Sequence, residues 1–462
     1  MQKLIRYLSS LWKDLRTSNS FLQNSAWLFS ASALGTLVQL IFFPIISRIY
    51  EPEAYGVFGL FNAIVVNIAI IAGMNLSMAF VLPKSIRQFA ALLQVNVRIV
   101  LIVCAIAGLI SLVFGKQLLV LFHAEELDYW VYFIAPAAFL VAFDKILIDW
   151  ATRIKAFKKF ALYNFQTNLI SKLFNLGYGW KISNGPSGLI LTNILSFSLR
   201  ISVYLQFILG KKRNLLFAKT TSIERKQALK EYKNFPVYIL PGSFLNTFSN
   251  QLFILLPPLF GMDIKAVGIY SFAGIVLDLL LRLISNAFSP VYLQKAAEVV
   301  QAGVQNLGKL SWSLHRNLTF LVFLPTLALY AAGAPLYSFV FGEQWYEAGL
   351  VTEWLALSYF FRLSSSAISP VFAVIRKEKH TLYFQIITFL LRITGLCIAY
   401  YLGEDIVGFA LWYTIFNGMA YLLLIAWIFK LLKHAWLKVI AFQLLLFGIL
   451  LTLGWFIKPL LH

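Results

Sequence analysis

The sequence falls into a series of predominantly apolar runs of bilayer-crossing length, and this one feature leaves few folds open. A hydrocarbon core about 30 Å thick takes roughly 20 helical residues to cross. Such runs are predicted at 24–46, 54–82, 90–114, 128–149, 160–180, 187–209, 235–260, 266–291, 317–340, 348–373, 381–402, 406–429 and 436–457. The last of these also fits a re-entrant or interfacial placement. A soluble fold is excluded, because 60% of the 462 residues are apolar and 13% are charged, whereas a soluble domain carries roughly 25% charged residues. Burying the excess against itself would require a core larger than single domains form. Cys104 and Cys397 both sit in apolar runs, so neither a disulfide framework nor a metal-ligand spacing is present, and no cofactor is expected.

Orientation follows from the cations. The 39 Lys and Arg exceed the 19 Asp and Glu by 20. In a membrane protein such an excess belongs to cytoplasmic segments, not to a nucleic-acid surface. With the N-terminus inside, the inner segments hold Lys3, Arg6, Lys84, Arg87, Arg153, Lys155, Lys158 and Lys159, the basic stretch 210–234, and Arg376, Lys377, Lys430 and Lys433. The opposite segments are acidic, with Glu51, Glu53, Glu125, Glu126, Asp128, Glu343, Glu347, Glu404 and Asp405.

The predicted organisation is an all-α integral membrane protein of about 13 transmembrane helices (range 12–14). Residues 1–23 form a cytoplasmic amphipathic helix, since Leu4, Leu8, Leu11 and Leu15 recur opposite Lys3, Arg6, Lys13 and Asp14. Six spans over 24–209 make one lobe, 210–234 is a cytoplasmic linker, six spans over 235–429 make a second lobe, and 436–457 is an additional C-terminal span. Within the linker, Thr221 and Glu224 have the spacing of a helix-capping box. A weak internal repeat supports the two lobes. Ala54-Tyr55-Gly56-Val57-Phe58 parallels Ala266-Val267-Gly268-Ile269-Tyr270, and Ser77-Met78-Ala79-Phe80 parallels Ser285-Asn286-Ala287-Phe288.

Charges at membrane depth are costly and call for a reason. Lys172, Arg282, Arg362 and Arg392 fall near mid-span, with Arg98 closer to the cytoplasmic end. The acids at comparable depth are Asp278 and, nearer the outer side, Glu353; Asp144, Lys145 and Asp149 lie toward an inner end. Asp278 and Arg282 are four residues apart and are expected to pair on one helix face. One reading of the remaining cations is a water-filled cavity of positive potential suited to a phosphate-bearing substrate. The other is pairing with neighbouring helices or snorkelling to headgroups. Asn62, Asn67, Asn75, Asn246 and Asn250 either line that cavity and bond sugar hydroxyls or hold helices together. Trp27, Trp130, Trp345, Trp354 and Trp436 lie near span ends and are expected to act as interfacial anchors.

The segment Phe43-Pro44-Ile45-Ile46-Ser47-Arg48-Ile49-Tyr50-Glu51-Pro52-Glu53-Ala54-Tyr55-Gly56-Val57-Phe58 resembles the first helix hairpin of Wzx-type polysaccharide flippases, whose superfamily also holds MATE exporters and lipid II flippases. Phe341-Gly342-Glu343-Gln344-Trp345-Tyr346-Glu347-Ala348 resembles the segment before the tenth helix of that family. The resemblance implies a two-lobed transporter of the bacterial cytoplasmic membrane, not an enzyme. Its partner would be an undecaprenyl-pyrophosphate-linked oligosaccharide, moved from the inner to the outer leaflet, with membrane lipids and other polysaccharide-assembly membrane proteins around it. No Walker-type phosphate loop occurs, so an ion or substrate gradient would drive transport, with Asp278 and Glu353 as candidates for ion coupling. A MATE-like ion-coupled exporter is the second transporter reading and predicts an acidic cavity. A membrane glycan polymerase or ligase is the reading of another class, and it calls for a large outer loop that the sequence lacks.

Overall fold

The computed structural model describes Gly35 and residues 38–461, so the predicted helix 1–23 and Trp27 lie outside the described residues. The fold is all-helical, with no strand among the described residues. The helices are α1 (Val38–Ser47), α2 (Pro52–Gly73), α3 (Ile86–Leu121), α4 (Ile134–Arg153), α5 (Phe157–Lys181), α6 (Pro186–Val203), α7 (Ser222–Glu231), α8 (Leu240–Leu259), α9 (Ile264–Val299), α10 (Val304–Phe341), α11 (Tyr346–Ser366), α12 (Glu378–Tyr401), α13 (Ile406–Leu431) and α14 (Trp436–Leu461). Their starts are written in the sequence. Pro52 and Pro186 open α2 and α6 where a missing N–H costs nothing. Asp263 and Asp405 accept backbone N–H groups at the starts of α9 and α13.

Ten of the described segments are long and apolar enough to cross a membrane, where the sequence predicts thirteen. The three that fall short are instructive. The described part of the first run is only α1, from Val38. The other two, α5 and α11, are long enough at 25 and 21 residues but are too polar. α5 carries Asn168, Ser171, Lys172 and Asn175, and α11 carries Glu353, Ser358, Arg362 and Ser364. The C-terminal run forms α14, 26 residues long, packed against α10 and α13.

Two hydrophobic cores divide the chain. One gathers Val57, Phe61, Leu92, Trp150, Ile190 and Tyr204 from α2 to the π-turn after α6. The other runs from Phe253 through Trp345 and Phe360 to Leu450, and takes in Phe43 and Tyr55 from the first half. The segment 210–234 belongs with the first core. Gln94 donates to the Ala218 carbonyl at 2.6 Å, Arg87 pairs with Glu224, and Ala228 and Tyr232 are buried. The capping box is present, since the Thr221 side chain accepts from the Glu224 amide and the Glu224 carboxylate accepts from the Thr221 amide. That backbone hydrogen bond holds the Glu224 carboxyl below its ordinary range.

The tryptophan expectation is corrected at two positions. Trp130 and Trp345 are 5% and 0% exposed, because large aromatic side chains fill packed seams here and not a headgroup layer. In the charge-based orientation, the end that carries Glu51, Glu343 and Glu347 is the outer end. There the two segments that resemble the flippase family meet. Trp345 Nε1 and Gln344 Nε2 donate to the Ser47 carbonyl at 2.8 and 2.6 Å, and Arg48 donates to the Phe339 carbonyl at 2.6 Å. Phe272 stacks on Trp345 with ring centres 3.6 Å apart, and Tyr55 packs edge-on against both.

Candidate functional site

Between the two halves lies a cavity of about 590 Å³. The first half supplies α1, the first half of α2, α5 and α6, and the second supplies α8, α9, α11 and Tyr413 of α13. Helical periodicity builds its walls. On α5 the lining residues Asn168, Ser171, Lys172 and Asn175 repeat at three- and four-residue intervals, as one face of a helix must. Ser271, Asp278 and Arg282 do the same on α9, and Tyr359 and Arg362 on α11. Polar stripes of this kind explain why α5 and α11 fall short on apolarity while still belonging to the bundle.

The predicted site residues separate into four groups. Lys172, Arg282, Arg362 and Asp278 line the cavity together. Arg392 does not. It is 1% exposed and sits behind the wall, donating to Asn417, Ser249 and Asn250 at 2.9 Å each, so it orients Asn250, which does line the cavity. Arg98 is exposed on α3 and away from the lining. Glu353 lies on the outer side of α11, fully buried, paired with Lys458 of α14 and accepting the Ala334 N–H at 3.0 Å.

The expected Asp278–Arg282 pair is corrected. Asp278 Oδ1 instead accepts from the Tyr359 hydroxyl at 2.8 Å and from Arg362 at 3.3 Å. Arg362 also donates to Tyr359 at 2.7 Å and lies over its ring. A neighbouring helix offered Asp278 both a cation and a hydroxyl, and two partners outweigh one four residues along the same helix. Arg282 faces the cavity and makes no ion pair among the described residues. Three lining cations minus one lining carboxylate leave +2. The other acids predicted at depth are paired within the first half, Asp144 with Arg200 and Asp149 with Lys145.

Among the asparagines, Asn62 and Asn250 line the cavity, Asn246 lines a second cavity of about 380 Å³ within the second half, and Asn67 joins α2 to α8 through Gln251. Arg362 is common to both cavities. The sequence reading missed Asn175, Thr192 and Asn193, which line the main cavity with Asn175 Oδ1, Thr192 Oγ1 and Asn193 Oδ1 buried and unpartnered. An unsatisfied buried polar group costs about 1–3 kcal/mol. The stripe on α5 was the available signal for Asn175.

Glu353 has a structural role that can be tested directly. Ala332 departs from helical geometry and Pro335 follows, so α10 kinks and leaves the Ala334 N–H for Glu353 to accept. Lys458→Ala removes the cation beside a buried carboxylate, and breaking a buried pair costs about 3–5 kcal/mol. The expected result is a drop in thermal midpoint in detergent, recovered by Glu353→Gln in the same chain. No drop would free Glu353 for a role in ion coupling.

The same fold recurs in solved structures. The chain is similar to the lipid II flippase MurJ in an inward closed conformation, with a TM-score of 0.65, 15% identity, and coverage of 95% of this chain and 98% of that one. It is also similar to an inward-facing multidrug resistance MATE family transporter of the MOP superfamily, with a TM-score of 0.61, 14% identity, and coverage of 88% and 99%. The Vibrio cholerae MATE transporter VcmN gives a TM-score of 0.55, 16% identity, and coverage of 94% and 98%. At such identities the likeness is one of fold. No curated protein matches the sequence. Residues 45–350 match the polysaccharide biosynthesis protein family over more than half of the chain, and this multi-pass membrane protein belongs to that family.

Proposed function

We propose that the protein is a flippase that carries an undecaprenyl-pyrophosphate-linked oligosaccharide from the inner to the outer leaflet of the bacterial cytoplasmic membrane by alternating access. The observation that carries the reading is the cavity between the halves with three cations against one carboxylate. A pyrophosphate presents acceptors only, and Lys172, Arg282 and Arg362 present donors only. Arginine adds a planar fork that matches phosphate oxygens in pairs. The membership in a polysaccharide biosynthesis family and a fold shared with a lipid II flippase support the same cargo class. An exporter of organic cations would call for carboxylates where these cations stand.

In this mechanism the prenyl tail stays in lipid while the pyrophosphate and glycan enter the cavity. The incoming pyrophosphate competes with Asp278 for Arg362, so Asp278 becomes available to a coupling ion as the substrate binds. Arg392 acts behind the wall by holding Asn250. The outer contacts between the Ser47 region and Trp345 then part to release the glycan. No bond in the cargo is made or broken, and the protein acts as a transporter and not as an enzyme.

The test is reconstitution of the purified protein in vesicles whose inner leaflet carries a fluorescent lipid-linked oligosaccharide. The expected result is appearance of the label on the other leaflet with glycan length unchanged. Lack of movement, or lengthening of the glycan, overturns the reading.

A further inference from the structure

We propose that the outer part of the cavity holds a subsite for the sugar next to the pyrophosphate, built from Asn175, Thr192 and Asn193. This inference rests on the flippase reading and adds where and by what chemistry the glycan is held. Asn175 and Thr192 are 3% and 6% exposed, line the cavity, and keep side-chain oxygens without a hydrogen-bond partner; Asn193 Oδ1, also of a lining residue, is unpartnered as well. Three such atoms on the wall formed by α5 and α6 are unusual, since nearly all buried polar atoms find a partner.

Their position sets the class of ligand. On α6, Thr192 stands six residues after Pro186, which opens the helix at the outer end, about 9 Å along the axis. On α5, Asn175 lies one turn outward of Lys172. The Tyr50 hydroxyl donates to the Asn175 carbonyl at 3.0 Å, and the Tyr50 ring fills the space beside Gly179 and Gly188, so the α5–α6 pair is fixed where these side chains face inward. The cavity is therefore graded, with cations toward the cytoplasmic side and uncharged, unsatisfied oxygens toward the outer side. A pyrophosphate has no donor for the two asparagine oxygens. A sugar hydroxyl both donates and accepts, and so meets a threonine hydroxyl and an asparagine amide in either orientation. An acetamido N–H serves the same acceptors.

The experiment compares three ligands on the full chain in nanodiscs: farnesyl pyrophosphate, farnesyl-pyrophosphoryl-glucose and farnesyl-pyrophosphoryl-N-acetylglucosamine. At least one sugar-bearing ester is expected to bind about tenfold more tightly than farnesyl pyrophosphate, the size of a gained hydrogen bond. Thr192→Val and Asn193→Leu are each expected to remove that sugar-dependent gain while the thermal midpoint stays level or rises. A structural role for the same groups predicts a lower midpoint instead, and that result overturns the subsite. So does wild-type protein that binds farnesyl pyrophosphate but gains nothing from either sugar, an outcome that leaves the flippase reading standing. Wild-type protein that binds none of the three esters overturns both.

Discussion

Arg362→Gln is expected to lower transport of a lipid-linked glycan by about two orders of magnitude with membrane levels unchanged. A hydrogen bond to a charged group is worth about 1.5–3 kcal/mol, which is roughly 10–100-fold in affinity. In the proposed mechanism Arg362 contributes more than one such bond on exchanging Asp278 for the pyrophosphate. The side chain is held in place by Tyr359 at 2.7 Å and Asn250 at 3.4 Å, so neutral glutamine keeps a hydrogen-bonding group there and the fold survives. Arg362→Lys keeps the charge but loses the fork, and is expected to retain part of the activity. Asp278→Asn has a different signature. It frees Arg362 permanently, so substrate should bind at least as tightly and be released more slowly. Vesicle flipping, with protein level checked in the membrane fraction, measures all three. Normal transport by Arg362→Gln would remove Arg362 from the substrate path and, with it, the cavity assignment.

The sequence reading reached the bundle because run length and apolarity are properties of each segment taken alone. It also found the charged residues at depth, since depth is counted along one helix. It could not assign their direction around the helix relative to partners. Arg392 and Arg362 are at similar depth in the reading, yet one is enclosed by Asn417, Ser249 and Asn250 while the other faces the cavity. Asp278 was matched to Arg282 because a four-residue spacing is visible in sequence, whereas its contact with Arg362, 84 positions away, is set by how α9 packs on α11. Asn175, Thr192 and Asn193 were missed for a related reason: an uncharged polar residue in an apolar run is ordinary until the structure shows that its oxygen has no partner. The first pair of repeat segments, weak as text, acquired a physical meaning, because it holds Gly56 and Gly268, where α2 and α9 cross.

At that crossing Gly268→Ala is expected to weaken closure of the outer end and reduce transport at least tenfold. A Cβ at Gly268 would lie 1.7 Å from the Pro52 carbonyl oxygen, and one at Gly56 would lie 2.1 Å from the Ile264 carbonyl oxygen. Both obstacles are backbone, so no side-chain rotation relieves the clash and the two helices must separate by roughly an ångström or more. The seam continues inward, where Gly59 meets the Ser271 hydroxyl. Beside it stand Phe43, Tyr55, Phe272 and Trp345, whose ring packing, together with the Trp345 hydrogen bond to the Ser47 carbonyl, depends on the same close approach. Overpacking of this kind costs about 1–3 kcal/mol, enough to shift a two-state equilibrium roughly 5–150-fold. The cost falls on the outward-closed arrangement, in which α2 and α9 touch, so the population should move toward an arrangement open at the outer end. Spin labels at Glu51 and Glu343, both exposed, in a chain lacking Cys104 and Cys397, would report a longer distance in Gly268→Ala than in the parent. Gly177→Ala is the control, because its added methyl meets nothing within 4 Å. An unchanged distance distribution with unimpaired transport in Gly268→Ala would show that closure of the outer end does not rest on the glycine crossing.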